Sequence, residues 1–564
     1  MNKKQILKGT GLSILAIAVI SKLIKDTLSK RSAKNKLQSK AARKNQQILT
    51  QIQMTSSLAA ISPALQEQIL SSTISELQSL LDSKSITCTD IFLSFTHELR
   101  TSSSSHNCVS DINFALGYKR AQKLDYELES GKKRSPLHGI PMSIKDFIAV
   151  KGMNSSYGCM NECFSVEEND ADLVKILKKK GVNIYVKGTM SQNAHLYETV
   201  NGITGTTLNP INKERSAGGS SGGDAVLVAT RGTCAAIGTD IGGSLRFPSL
   251  SCGLFTLKPT SYRITRAGPL SLQDYPHFKN AWGPITKNLD DLILICQEIF
   301  NEKPSAYLPF LPWRNDSFTS SSQLIITICE GSDYWPIPSC LQAPISQVHK
   351  SLEARGHLVK LFKLTTEIEE VTEIALGVTS YGSKDLKRLA GEDLHPQLSK
   401  IEKALNSYPL TRPIKEKIIK YTQGEKESVY YKVLNHKNVD DYLKNIIRLR
   451  VFKEKFLKAV NSDIVIFPYA FPAVPHNSSQ DLLPGFSYLS IFNILDWPVG
   501  HLPIGFVQTV EPYLPENQEI WAEAMRNTLK NSEGLPVGVQ VAGLPFQEEK
   551  VLRIMKELSE DLER

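Results

Sequence analysis

Two glycine-rich segments constrain the fold of this chain more than anything else in it. The first is Gly218-Gly-Ser-Ser-Gly-Gly223 and the second is Gly238-Thr-Asp-Ile-Gly-Gly-Ser-Leu-Arg-Phe-Pro248. Glycine adopts conformations that other residues resist and lets one backbone approach another closely. The first segment runs directly into the Ala/Val-rich stretch 225–229, so it reads as the entry to a buried helix rather than a flexible linker. A phosphate cradle is a second reading, but no Lys-Ser/Thr pair follows, so a P-loop fails. In the second segment, Gly242 and Gly243 immediately precede Ser244. Successive backbone N–H groups there can converge on an oxygen beside the Ser244 hydroxyl, as an oxyanion hole requires. A tight Gly-Gly turn is the plainer alternative.

A third segment, Gly139-Ile-Pro-Met-Ser-Ile-Lys-Asp-Phe147, alternates Ile140, Met142 and Ile144 with Pro141, Ser143 and Lys145. That period of two predicts a strand with Lys145 on the face opposite the three apolar side chains. A solvated lysine on an edge strand fits the same pattern, since most lysines are exposed. The stretch Gly218-Gly219-Ser220-Ser221-Gly222 also fits G-x-S-x-G, the nucleophile elbow of α/β-hydrolases. That elbow needs a strand before it and an acid and a histidine after it. Residues 209–217 do not read as a buried strand, and no histidine stands in a recognisable setting downstream, so the elbow is set aside.

The remaining pattern alternates helices with buried strands. Asp170 is placed to cap a helix carrying Leu173, Val174, Ile176 and Leu177, which stops at Gly181 before a strand at Val182–Val186. A helix over 342–355 precedes a strand at Leu358–Leu364, and one over 441–460 precedes Ile464–Phe467. Leu535–Ala542 is a further strand and Gln547–Leu562 a closing helix. Such alternation predicts an α/β sheet covered on both faces.

Charge separates the amino terminus from the rest. Residues 1–50 hold 12 Lys/Arg against the single acid Asp26, whereas the other 514 residues carry a net −2. The global +9 is therefore no sign of a nucleic-acid surface. Gly9–Ser21 is an uncharged, mostly apolar run of 13 residues. It reads as a short membrane anchor, as a cleaved signal peptide ending near Ala16-Ile17-Ala18, or as part of a helix lying on a membrane. For an anchor, the basic flank after the run puts the larger part of the chain in the cytosol. The expected division is an anchor at 1–24, a basic helical or flexible linker at 25–70 and a catalytic domain at 71–564. Residues 1–50 are expected to address a membrane and to contribute no chemistry. Nine cysteines without a C-x-x-C predict reduced thiols, and Cys159 with Cys163 lacks a second ligand pair for zinc.

Taken together, Lys145, Gly218–Gly223 and Asp240–Pro248 resemble the amidase signature family. The resemblance runs on through Ser251-Cys-Gly-Leu-Phe-Thr-Leu-Lys-Pro-Thr260 to Gly534-Leu-Pro-Val-Gly-Val-Gln-Val-Ala-Gly543, covering about residues 75–560. Within the family, Phe492-Asn-Ile-Leu-Asp-Trp-Pro498 and Asn531-Ser-Glu-Gly-Leu-Pro536 look most like the membrane-bound fatty-acid amide hydrolases of animals. The resemblance implies a mixed, twisted sheet flanked by helices and a Ser–Ser–Lys triad without metal or cofactor. Ser244 would be the acyl-ester nucleophile, Ser220 a proton relay after a cis Gly219 peptide, and Lys145 the general base and acid. N–H groups around Ile241, Gly242, Gly243 and Ser244 would form the oxyanion hole, with Ser220 beside it. Asp240 and Arg246 would hold the loop, their plainer reading being an ordinary ion pair. Ala194 falls where the animal enzymes place a substrate-contacting Met, and residues 392–425 where they carry a membrane cap. The implied partners are a lipid amide substrate, an endomembrane surface facing the cytosol and a second copy in a homodimer. An amidotransferase subunit acting on tRNA-borne substrates, or a non-catalytic scaffold, are the alternatives.

Overall fold

The computed structural model describes residues 3–54, 61–268, 277–303, 308–380, 388–405, 412–423, 425–433, 439–510 and 519–562. The strands are β1 (Val109–Ile112), β2 (Pro141–Lys145), β3 (Asn183–Gly188), β4 (Val200–Asn201), β5 (Gly205–Thr206), β6 (Ala235–Asp240), β7 (Phe255–Lys258), β8 (Ala281–Thr286), β9 (Ile325–Ser332), β10 (Leu358–Leu364), β11 (Ile464–Phe467), β12 (Val499–Phe506) and β13 (Pro536–Gly543). β4 and β5 pair alone; the others form one sheet in the order β1-β3-β2-β6-β8-β7-β12-β13-β11-β9-β10. Its pairings are mixed: β2 runs parallel to β3 and β6, while β6 through β8, β7, β12 and β13 to β11 is antiparallel throughout. The expected mixed α/β architecture is borne out.

β2 is an interior strand, with Ile144 opposite Ile237 of β6 and Lys145 opposite Gly188 of β3. Lys145 is fully buried, so the solvated edge lysine is excluded. Because β2 and β6 are parallel, Lys145 and Asp240 lie at the same, carboxyl end of the sheet. That is where open α/β sheets place their ligand sites.

The helix entered from the first glycine segment spans Gly222–Ala229 and crosses against β3. A Cβ at Gly223 would sit 2.1 Å from the Thr189 nitrogen, so only glycine permits this approach. Leu358–Leu364 and Ile464–Phe467 coincide with β10 and β11. One local expectation fails. The helix after residue 170 begins at Asp172 with Ala171 as its N-cap and no side-chain cap. The Asp170 carboxylate is taken by the Lys151 N–H at 2.7 Å and by Lys178.

The amino-terminal region takes the helical form of the expected linker. A single helix, Lys3–Met54, runs through the boundary drawn between anchor and linker. The side chains of the expected anchor, residues 1–24, lie outside the described residues. Beyond them the supposed linker is docked: Ala41, Ile48 and Ile52 are buried, and Lys44 Nζ lies 2.5 Å from Asp111 Oδ1. The four-residue step from 48 to 52, one turn apart on one face, is what the Lys/Ser/Gln-rich composition concealed. No described helix is long and apolar enough to cross a membrane. Parts of the expected cap, residues 406–411 and 424, lie outside the described residues.

Lys44 is 1% exposed, and its loss leaves a buried Asp111 carboxylate short of its cation. Lys44→Ala is therefore expected to lower unfolding stability by about 3 kcal/mol, read from urea denaturation.

Candidate active site

The site is organised by one lysine. Lys145 Nζ donates to Ser220 Oγ at 2.7 Å, Ser221 Oγ at 2.8 Å and Thr239 Oγ1 at 3.0 Å. An ammonium has three donors, and hydroxyls meet all of them; no carboxylate does. Burial pushes the Lys145 ammonium well below the ordinary lysine range, against the opposing pull of Asp224, Asp240 and Asp146. Asp224, itself fully buried and hydrogen-bonded by Ser143 Oγ at 2.8 Å, is raised by its burial. The nearby charges thus include a carboxyl that resists ionising, which favours a neutral amine at Lys145.

Ser220 follows a cis peptide after Gly219. Its partner is Lys145, not a histidine, so the nucleophile-elbow geometry is not built here. Ser220 and Ser244 line one cavity of about 1100 Å³, solvent at its mouth included. Ala194, Ile241 and Gly242 line it too. The Ser220–Lys145 pair is formed in this state, whereas no hydrogen bond joins Ser244 Oγ to Ser220 among the described residues. Catalytic hydrogen bonds often close only once substrate is bound.

The four N–H groups expected to converge do not all point one way. Gly243, at φ +116°, donates its N–H to Asp240 Oδ1 at 2.7 Å. A carboxylate three residues upstream thus holds one of the four expected donors. The Gly242 carbonyl is held from the other side by the Tyr197 hydroxyl at 3.1 Å. Tyr197 is in turn stacked on Phe486 with ring centroids 3.6 Å apart.

The amidase family profile matches residues 90–552. The chain belongs to the amidase family. It is 30% identical to fatty-acid amide hydrolase 1 of Sus scrofa over 447 residues, 75% of each chain. It is 28% identical to amidase 1 of Gibberella moniliformis, covering 85% of this chain and 91% of that one. An acetamidase of Aspergillus oryzae is 27% identical over 86% of this chain and 89% of its own. In structure it superposes on a fatty acid amide hydrolase with a TM-score of 0.78, over 94% of this chain and 96% of that one at 22% identity.

In this amidase, Arg246 does more than neutralise Asp240. It donates through Nε to Asp240 Oδ2 at 3.0 Å and through a terminal nitrogen to Oδ1 at 3.1 Å. It also reaches Asn493 Oδ1 at 2.7 Å, Gln540 Oε1 at 2.7 Å and the Leu489 carbonyl at 2.9 Å. Burial alone would raise the Asp240 carboxyl. The Arg246 guanidinium, with Lys258 and Asn493, overrides that and holds it far below the usual carboxylate range. Ser221, Thr239, Asn493, Gln540 and Tyr197 were missed as site residues. A polar Asn493 inside Ile491–Leu495 and a Gln540 between valines were the available signals, since a buried amide needs partners. Among the described residues, no group of three His, Cys, Asp or Glu side chains is placed to hold a metal ion.

Arg246→Met removes the cation and strands a fully buried carboxylate, so a loss of about 3–5 kcal/mol is expected. Arg246→Lys should not restore it, because an ammonium cannot span these acceptors in one plane. The pH dependence gives the sign. In the native chain Asp240 titrates below its unfolded value of ~3.9, so its contribution is complete above about pH 4 and is lost only on further acidification. In Arg246→Met, burial dominates and the folded value rises above the unfolded one, so stability falls as pH rises. The deficit against the native chain should therefore be larger at pH 8 than at pH 5 by urea denaturation; an equal deficit at both would refute this account.

Proposed function

We propose that this amidase hydrolyses fatty-acid amides, N-acylethanolamines or primary amides, to a free fatty acid and an amine. The observation that carries the chemistry is a buried lysine with hydroxyl partners only, one of which, Ser220, shares a cavity wall with Ser244. A neutral Lys145 accepts the Ser220 proton as Ser220 takes that of Ser244, and Ser244 Oγ attacks the amide carbonyl. The N–H groups of Ile241, Gly242 and Ser244 stabilise the oxyanion that forms. The proton then returns through Ser220 to the nitrogen of the departing amine. Water enters, loses its proton by the same relay and releases the acid from Ser244. Asp240 and Arg246 hold the donor loop.

Support for a fatty acyl group is of a different kind. Ala194, Leu196, Phe278, Ala375, Leu376 and Leu483 give the cavity apolar walls. The relatives include a fatty-acid amide hydrolase alongside acetamidases, so acyl length is what a substrate screen must decide. We also propose that the basic amino-terminal helix brings the catalytic domain to an anionic membrane surface, where lipid amides partition.

A fluorophosphonate is expected to label Ser244, identified by peptide mass spectrometry, and Ser244→Ala to abolish turnover. Labelling of Ser220 with Ser244 untouched would remove the mechanism. Across acyl amides of increasing chain length, kcat/KM should rise toward long chains; a maximum at acetamide would leave the chemistry and discard the fatty substrate.

The rate should also follow Lys145. Activity requires its neutral form, so kcat/KM is expected to rise with pH through an apparent pKa well below the ~10.4 of free lysine. Lys145→Ala should erase that limb and harm amide cleavage more than cleavage of a matched ester, because an alkoxide leaves with less need of a proton. Equal losses on both substrates would take Lys145 out of leaving-group protonation.

A further inference from the structure

The amino-terminal helix meets the body next to the cavity. Leu37 and Ala41 pack with Met160, Cys163 and Ile203, and Lys40 Nζ donates to the Asn161 carbonyl. Leu37 also abuts Gly391, where a Cβ would lie 3.1 Å from Leu37 Cδ1. Lys34 reaches Asp393 at 2.7 Å, though both are exposed enough for that pair to add little.

From residues 160–161 the contacts continue into the segment 388–397. Asn161 Nδ2 donates to the carbonyls of Arg388 at 2.7 Å and Ala390 at 3.1 Å. The Met160 N–H donates to Glu392 Oε1 at 2.6 Å. The same segment is tied to the cavity wall: Gln192 Nε2 donates to the Asp393 carbonyl, and the His395 N–H to Gln192 Oε1, each at 3.0 Å. Gln192 directly precedes Asn193, Ala194 and His195, which line the cavity, as does Gln397. Asn193 and Ala194 both have left-handed backbone, at φ 49° and 59°. A wall in that conformation persists only where its surroundings determine it.

We propose that residues 34–44 of the amino-terminal helix are a positioning element of the substrate cavity, acting through Asn161, the segment 388–397 and Gln192 on the wall at 193–195. This rests on the reading of that cavity as the acyl-amide site. It replaces the division in which residues 1–50 serve only as an address. Lys145, Ser220 and Ser244 stand on β2 and on the two glycine segments, none of which this chain of contacts includes; where the helix does reach the sheet, Lys44 pairs with Asp111 on the edge strand β1. Undocking the helix should therefore change substrate fit and leave the nucleophile's reactivity alone.

The test uses the full chain carrying Leu37→Asp, Lys40→Met, Lys40→Arg or Asn161→Ala, with Leu28→Asp as a control on the exposed part of the helix. For a long-chain amide, KM is expected to rise roughly 2- to 30-fold in Leu37→Asp, Lys40→Met and Asn161→Ala. Lys40→Arg should restore it and Leu28→Asp should not move it. The labelling rate of Ser244 by a small fluorophosphonate should stay at the native value. Amide hydrogen exchange at 192–197 and 388–397 should quicken in the same three variants and not in β2 or β6. Unchanged KM and unchanged exchange would overturn the proposal, and so would a uniform loss of labelling and protection, which marks a general stability effect. Absence of Ser244 labelling in the unmodified chain would instead sink the nucleophile assignment, and the exchange data would still decide the role of the helix.

Discussion

A buried lysine whose ammonium touches three hydroxyls and no carboxylate, at the end of an interior strand, sets the conditions for everything around it. Placing a charge there is costly, and the cheaper state is the neutral amine. The three hydroxyls come from two places: Ser220 and Ser221 from the first glycine segment, and Thr239 from the end of β6. All must reach one nitrogen at the end of β2. This explains why the glycines are needed. A side chain at Gly223 would collide with Thr189 and push the Ser220–Ser221 turn away from the lysine. Asp224, on the same helix start, is near enough to bias the lysine electrostatically, yet it is occupied by Ser143 rather than by Nζ.

A second buried charge follows the opposite strategy. Asp240 is kept ionised by a guanidinium that is itself fully paired, and two of its partners lie 247 and 294 residues further along the chain. Buried pairs of this kind are weak sources of net stability but costly to break. Their use here is geometric. Asp240 holds the Gly243 N–H, and Arg246 ties the Ser244 loop to helix Ser487–Leu495 and to β13. The carboxylate fixes the backbone next to Ser244 at the expense of one donor. Charge neutrality governs one half of the site and full ionisation the other, within a few residues on β6.

The amino-terminal helix is where composition misled. Read as charge, it is a solvated basic tail. Read by position along the helix, Ala41, Lys44, Ile48 and Ile52 form a face that the body covers. Burial of those few side chains is a modest gain per residue, but it brings the most basic part of the chain against the segment bordering the cavity. The basic helix and the segment bordering the cavity are therefore in contact, not separated by a linker.

The sequence by itself determined the fold class and the family, and it marked the segments that meet in the candidate site. Alternation of apolar residues located β2, the helix-then-strand order located β10 and β11, and two glycine–serine segments of unusual composition marked Ser220, Ser244 and Asp240. These are local signals, read from period and spacing within about a dozen residues. Three things were decided only by the tertiary structure. Ser221 and Thr239 complete the lysine's shell, Asn493 and Gln540 complete the arginine's, and Gly243 spends its N–H on Asp240. The first two depend on segments tens to hundreds of residues apart meeting at one atom, and no periodicity encodes which distant amide or hydroxyl arrives; the third joins residues three apart, but which acceptor takes the Gly243 N–H is set by how Arg246 holds Asp240. Asp170 shows the same limit at short range. Its position suited a helix cap, but Lys151 and Lys178 reached its carboxylate first. Chemistry was legible because it needs rare residue types in close order; partnership was not, because a buried donor accepts whichever acceptor the packing delivers.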